Sequence, residues 1–310
     1  MTRQRQQLEF DQYIAPDGKV YQFNNKQDKF ISPIGGLGMA PLRYVTQRGP
    51  YQHGQTMLDY FLEPRIIQVR HRRIANSRTG QWDIRADLLD HIRPNRQAIN
   101  TLQPGVLRKI MADGTKRDIN VIVQDGPMFD PIGGSTWDEW SIDDIIRFVA
   151  HDPVFFDPTE VETTFNFSTF EELVFPIDFP IAFFASTFDE TDTIVYDGTW
   201  LSYPEIVMTG PMTNPIVTNT TTGEKIELDY NIAAGEVVTV TTEYGNKTIT
   251  NADGDNLIGT LTTDSDLATF HIAPDPEATD GENVLRVQGA GADSSATNMV
   301  VKYYTRYIGI

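Results

Sequence analysis

The sequence predicts a mainly β protein built from two sandwich-sized domains, and three observations carry that expectation. Short runs of alternating apolar and polar residues, divided by Gly, Pro, Asn and Asp, recur along the 310 residues, the pattern of strands with one buried face. A single stretch has clear helical spacing. The length accommodates two hydrophobic cores, and 40% apolar with 22% charged residues suits a folded, soluble chain.

In chain order, Lys19-Val20-Tyr21-Gln22-Phe23 and Arg65-Ile66-Ile67-Gln68-Val69-Arg70 read as strands. Residues 80–92 place Trp82 and Leu89, and Ile84, Leu88 and Ile92, at helical intervals, with Pro94 beyond the end. These spacings predict one amphipathic helix on a β layer, with all five residues on its packing side. Residues 136–151 fit either a helix, through Ile142, Ile145, Ile146 and Val149, or a strand running into His151-Asp152-Pro153. Periodicity alone leaves both open.

From Pro158 the chain turns acidic and Thr-rich. Strands are marked by Ile206-Val207-Met208, Pro215-Ile216-Val217, Lys225-Ile226-Glu227-Leu228, Glu236-Val237-Val238-Thr239-Val240 and Val284-Leu285-Arg286-Val287. Hairpin chemistry stands at Thr222-Gly223, Ala234-Gly235, Tyr244-Gly245-Asn246 and Ala252-Asp253-Gly254-Asp255, where glycine supplies the positive φ that tight turns need. An antiparallel β-sandwich follows. The boundary is placed near Asp157-Pro158, giving domains 1–157 and 158–310.

The chain has no cysteine, which excludes disulfides, thiolate catalysis and Cys-bound metal. No run approaches the ~20 apolar residues of a membrane-spanning helix, and Met1-Thr2-Arg3-Gln4-Arg5 opens no apolar signal core, so synthesis as a soluble cytoplasmic product is expected. Residues 1–124 carry 19 Lys+Arg against 11 Asp+Glu; residues 125–310 carry 6 against 32. Opposite halves of this kind favour complementary packing between copies or neighbours. Specific nucleic-acid binding is not expected, because the cations are scattered apart from Arg70-His71-Arg72-Arg73.

Chemistry-bearing patterns are weak throughout. His53, His71, His91, His151 and His271 lie far apart and form no ligand spacing. Asn251-Ala252-Asp253-Gly254-Asp255 starts like a calcium loop, but its sixth position is Asn256 and its twelfth Thr262, so a β-turn is expected. Gly35-Gly36-Leu37-Gly38 lacks the third glycine of a phosphate cradle and is read as a bend. The acids between Glu160 and Asp192 supply no assignable pair. No catalytic, metal or cofactor-binding residue is therefore expected, and no enzyme.

Several short motifs, read in order, resemble one family. They are Gly36-Leu37-Gly38, Arg48-Gly49-Pro50-Tyr51-Gln52-His53-Gly54, Pro64-Arg65-Ile66-Ile67, the helix ending at Arg93-Pro94, and Asp152-Pro153-Val154-Phe155-Phe156-Asp157. In the second half stands Gly198-Thr199-Trp200-Leu201-Ser202-Tyr203-Pro204-Glu205-Ile206-Val207-Met208-Thr209-Gly210-Pro211, then Asn214-Pro215-Ile216-Val217-Thr218-Asn219 and Thr221-Thr222-Gly223-Glu224. The whole is similar to the siphophage distal tail protein (Dit) family. In the approach to the Tyr-Pro motif, Tyr196-Asp197-Gly198-Thr199-Trp200 stands where that family has a compact Asn-Gly-Thr.

The resemblance implies an N-terminal ring-forming β-sandwich with one helix and an extended belt hairpin, then a C-terminal galectin-like β-sandwich. It tips residues 136–151 toward a strand. It further implies a virion structural protein forming a hexameric ring at the tail tip or baseplate of a siphovirus. Its partners would be copies of itself, the tail tube protein, the tail-tip hub protein and receptor-binding or baseplate proteins. Residues 41–76 hold the belt, with Tyr44, Gly49, Pro50, Tyr51, Gly54, Tyr60, Phe61 and Arg65 as candidate oligomer-interface residues; core packing is an equal reading for Tyr60 and Phe61. The alternative function is carbohydrate binding for host attachment, through Trp200 and Tyr203, against which stands a plain core strand.

Overall fold

The structure, a computed structural model, describes residues 11–23, 28–30, 35–75, 77–93, 103–127, 129, 141–167, 187–293 and 295–310. Pro94, residues 136–140 of the ambiguous stretch, and the 168–186 part of the acidic run lie outside them. The chain divides into two units, 1–158 with 307–310, and 159–306.

The first unit contains β1 (Gln12–Ile14), β2 (Val20–Gln22), β3 (Asp28–Phe30), β4 (Leu42–Gln47), β5 (Thr56–Leu62), β6 (Arg65–Ile74), α1 (Arg78–Ile92), β7 (Gly105–Ile110), β8 (Lys116–Asp125), β9 (Ser141–Ala150) and the start of β10 (Phe155–Asn166). Residues 141–150 are thus a strand, aligned antiparallel to β6 from Arg65↔Ala150 to Ile74↔Ser141. β8 serves two sheets. Its first half pairs with β7, Gly105↔Val121 through Ile110↔Lys116, and its second half with β9 at Ile122↔Val149. One sheet therefore runs β2-β1-β7-β8-β10 and the other β3-β6-β9-β8.

Alternation along these strands builds the core. Ile67 and Val69 of β6 and Ile146, Phe148 and Ala150 of β9 point inward with Tyr13, Tyr21, Leu107, Ile119, Val121 and Phe155. Helix α1 starts at Ser77, whose Oγ accepts from Gly80 N at 3.0 Å, satisfying an otherwise orphaned donor. Its Leu88 and Ile92 are buried, but Trp82 and Leu89 are 59% and 44% exposed. This corrects the expectation of one packing side. At about 100° per residue, Ile84, Leu88 and Ile92 form one stripe, and Trp82 with Leu89 form another about a quarter-turn away.

The second unit holds most of β10, then β11 (Thr187–Val195), β12 (Glu205–Thr209), β13 (Met212–Asn219), β14 (Glu224–Glu227), β15 (Asn231–Ile232), β16 (Val237–Thr241), β17 (Thr248–Asn251), β18 (Glu282–Ala290) and β19 (Asn298–Tyr307). Two antiparallel sheets, β17-β16-β12-β19-β10 and β11-β18-β13-β14 with β15 beside β13, enclose one core. Ile206, Met208, Val238, Val240, Met299 and Val301 face Val217, Ile226, Leu285 and Val287 across it. Glycines at 223, 235, 245 and 254 all have φ near +80°, as the turn chemistry requires. Both units together make the chain mainly β, with α1 the one α-helix among the described residues.

Candidate assembly surface

β4 and β5 form a two-stranded sheet that pairs with nothing else among the described residues. The register sets Leu42 opposite Leu62, Tyr44 opposite Tyr60 and Thr46 opposite Met57, so these six share one face; Arg43, Phe61, Val45 and Asp59 share the other. A bulge falls between Val45 and Thr46. Tyr44, Met57, Leu58, Tyr60 and Phe61 are between 46 and 62% exposed. Tyr60 and Phe61 are therefore not core residues. An isolated two-stranded ribbon is marginal in water, and this one exposes apolar side chains on both of its faces.

The tip is ordered by Gln52. Its Oε1 accepts from Gly49 N at 2.8 Å, its Nε2 donates to Thr56 Oγ1 at 2.9 Å, and its own amide donates to Gly49 O at 3.2 Å. Gly49-Pro50-Tyr51-Gln52 is thus a β-turn with Pro second and the left-handed residue third. That residue is Tyr51, at φ 62°, with its side chain fully exposed at 103%. Glycine is the usual occupant of such a position, and a tyrosine there costs about 1–2 kcal/mol. The sequence placed the bends at Gly49, Pro50 and Gly54; Gly54 does have φ +80°, but the positive φ of the turn falls on Tyr51.

Arg65, expected among the interface residues, is instead 1% exposed. Its Nη1 donates to Gly36 O and Gly38 O, both at 2.5 Å, its Nε to Pro153 O at 2.9 Å, and its Nη2 to Ile308 O at 2.7 Å. The guanidinium also lies 4.7 Å from the Phe155 ring centroid. Burial lowers its pKa to about 10. At β6, Pro64 ends the hairpin and the chain turns inward, which carries residue 65 from the ribbon into the core.

Trp200 and Tyr203 are half-buried. Tyr203 meets Tyr244 edge-on at 4.9 Å, with the Arg306 guanidinium 5.5 Å and the Lys247 Nζ 5.6 Å from its ring, so side chains of its own domain surround the ring a sugar would stack on. Trp200 bridges Arg306 through its backbone, and its carbonyl accepts from Tyr196 Oη at 2.6 Å. The 251–255 loop closes on itself, Gly254 N donating to Asn251 O and Asn251 N to Asp255 O, a β-turn. Of the histidines, His53 and His151 are exposed, His91 lies beside Asp87, and His271 sits between Glu224 and Glu277. The His71 side chain is not among those described.

This geometry has counterparts among known proteins. Residues 197–307, from the approach to Trp200 through β19, match the family described as siphovirus-type tail component, C-terminal domain, so most of the second unit is similar to that domain. Over the first unit as well, the fold is similar to that of a solved phage protein. The crystal structure of SPP1 Dit, described as a paradigm of the hub adsorption apparatus in phages infecting Gram-positive bacteria, aligns over 95% of this chain and 98% of its own, with a TM-score of 0.61 and 10% identity. Two structures of the phage P2 baseplate in its activated conformation, with Ca and with Sr, align over 94% of this chain and 97% of theirs, at 11% and 12% identity and TM-scores of 0.45 and 0.42. No curated protein matches the sequence.

Proposed function

We propose that this chain is the distal tail protein of a long, non-contractile phage tail. Six copies close into a ring through the first unit, residues 1–157 as bounded in the sequence, and join the tail tube to the tail-tip hub. The second unit, from residue 158, projects as the docking part for receptor-binding or baseplate proteins. The observation that carries this reading is the β4–β5 ribbon with aromatic and aliphatic side chains left exposed on both faces among the described residues.

A ring is a closed series of head-to-tail contacts, so each copy needs one surface that reaches out and another that receives. The ribbon is the reaching surface. Aromatics suit it, because they bury large areas at low rotamer cost. The charge distribution supports packing against unlike neighbours: residues 159–306 hold 24 Asp+Glu and 5 Lys+Arg, a strongly acidic docking domain suited to basic partner surfaces. None of this uses a reactive group, and the described residues contain no cluster of His, Asp and Glu arranged to hold a metal.

The test is the assembly state of the purified full chain, by sedimentation and negative-stain electron microscopy. Rings with a central channel are expected. A chain that stays monomeric at high concentration, alone and with the tail tube and hub proteins, contradicts the reading.

A further inference from the structure

Three motifs of the first unit lie far apart in sequence, contain no chemistry of their own, and meet at one side chain. Gly36 and Gly38 end the segment that enters the ribbon; Arg65 is the first residue of the strand that leaves it; Pro153 belongs to the corner between β9 and β10. Arg65 bonds the carbonyls of all three others, and that of Ile308 besides. Close beside it, Glu63 N donates to Pro41 O at 2.8 Å and Ile310 N to Leu37 O at 3.0 Å. Gly36 sits at φ +103°, where a Cβ would stand 2.9 Å from Ile66 O and 3.2 Å from Ile67 Cγ1, so only glycine lets the entering segment lie this close to β6.

A buried guanidinium is an expensive way to fill a core. No carboxylate among the described residues pairs with it, and a hydrophobic side chain of similar volume would pack with less desolvation. What the planar fork supplies is direction: four N–H groups at fixed angles on four carbonyls. Both legs of the ribbon are thereby held at their root.

We infer that Arg65 is a positioning residue for assembly: with the carbonyls of Gly36, Gly38, Pro153 and Ile308 it forms a clasp that sets the direction in which the β4–β5 ribbon leaves the first unit. The inference rests on the ribbon being the assembly surface, but the clasp itself is measurable within one subunit. A misdirected ribbon keeps all its aromatic side chains and still misses the neighbouring copy.

The absence of cysteine allows two spin labels to be placed cleanly, at His53→Cys on the ribbon tip and Lys116→Cys at the exposed start of β8. The labelled full chain, diluted into unlabelled chain, reports the distance distribution inside one subunit. The parent is expected to give a narrow distribution. Arg65→Met should widen it by roughly twofold at a temperature where circular dichroism shows the fold intact, because the supporting contacts that hold the geometry are gone. Assembly should weaken by about tenfold or more, and Arg65→Lys, which keeps the charge without the fork, should behave like Arg65→Met. An unchanged distribution in Arg65→Met overturns the clasp and leaves Arg65 a core-stabilising residue, whatever happens to the melting temperature. If Arg65→Met does not fold, Gly36→Ala decides: it displaces the entering segment and leaves the guanidinium in place, so a distribution as narrow as the parent's overturns the proposal. A parent with a narrow distribution that forms no rings supports the clasp while refuting the ribbon as an assembly surface.

Discussion

Replacing Tyr60 by Ser separates the assembly role of the ribbon from any role in folding. A tyrosine side chain offers about 200 Å² of surface. With 46% of the residue still exposed in the single chain, about 100 Å² remains for a partner to cover, about 2.5 kcal/mol at ~25 cal/mol per Å². Ordering the side chain takes back about 0.5–1 kcal/mol, leaving about 1.5–2 kcal/mol per contact, a 10- to 30-fold loss of affinity. In the proposed ring every subunit gives one ribbon and receives another, so the loss recurs at each contact. Folding has less at stake, because Tyr60 stands opposite the exposed Tyr44 in the ribbon, a cross-strand pair worth about 0.2–1 kcal/mol. Sedimentation across a concentration series and thermal melting on the same samples measure the two quantities together. Assembly should shift to at least tenfold higher concentration, with melting of the unassembled chain nearly unchanged. An unaltered assembly midpoint, or a melting loss as large as that of a core truncation, refutes the reasoning.

Three further outcomes follow from the geometry. Tyr51→Gly removes the left-handed strain at the ribbon tip and should stabilise the turn by about 1 kcal/mol, seen as slower amide exchange at Gly49 and Gln52, while assembly weakens through loss of the exposed ring. Asp118→Ala removes a 3%-exposed carboxylate that receives Arg108 through two bonds of 2.7 and 2.8 Å; because Arg108 is about one-fifth exposed, a loss of about 2–3 kcal/mol is expected in denaturant unfolding of the first unit. Tyr13 is held protonated to about 12 by burial first and by Asp17 second. Its ordinary value is 10.0, so between pH 10 and 12 the unfolded chain releases a proton that the folded one keeps, and stability falls as pH rises. Tyr13→Phe should flatten that alkaline decline in a pH series of melting curves.

The strands and turns were legible because each rests on a local cause. Alternation marks one buried face, and Gly223, Gly235, Gly245 and Gly254 stand where a positive φ is required. The strand at 141–150 was not decidable by periodicity, since Ile142, Ile145, Ile146 and Val149 keep helical spacing while Ile146, Phe148 and Ala150 alternate as in a strand; its pairing with β6 is a contact with residues some 80 positions away. The Ser77 cap could have been found from a Ser just ahead of the helical spacing. Trp82 and Leu89 misled because apolar residues at helical spacing form two stripes, and only the packed β layer selects one. In the β4–β5 ribbon, the bends at Gly49-Pro50 and Gly54 were readable from the residues, while the hairpin itself came only from the family resemblance. That Arg65 faces the core was not readable, since its role depends on carbonyls from Gly36 to Ile308, and a backbone oxygen leaves no signature in sequence.

Cryo-electron microscopy of intact virions carrying this chain tests the central claim most directly. Density for six copies in a ring at the distal end of the tail, with each β4–β5 ribbon lying along the adjacent copy, is the predicted result. Copies placed elsewhere in the particle, or ribbons standing free in solvent inside an assembled ring, would contradict it.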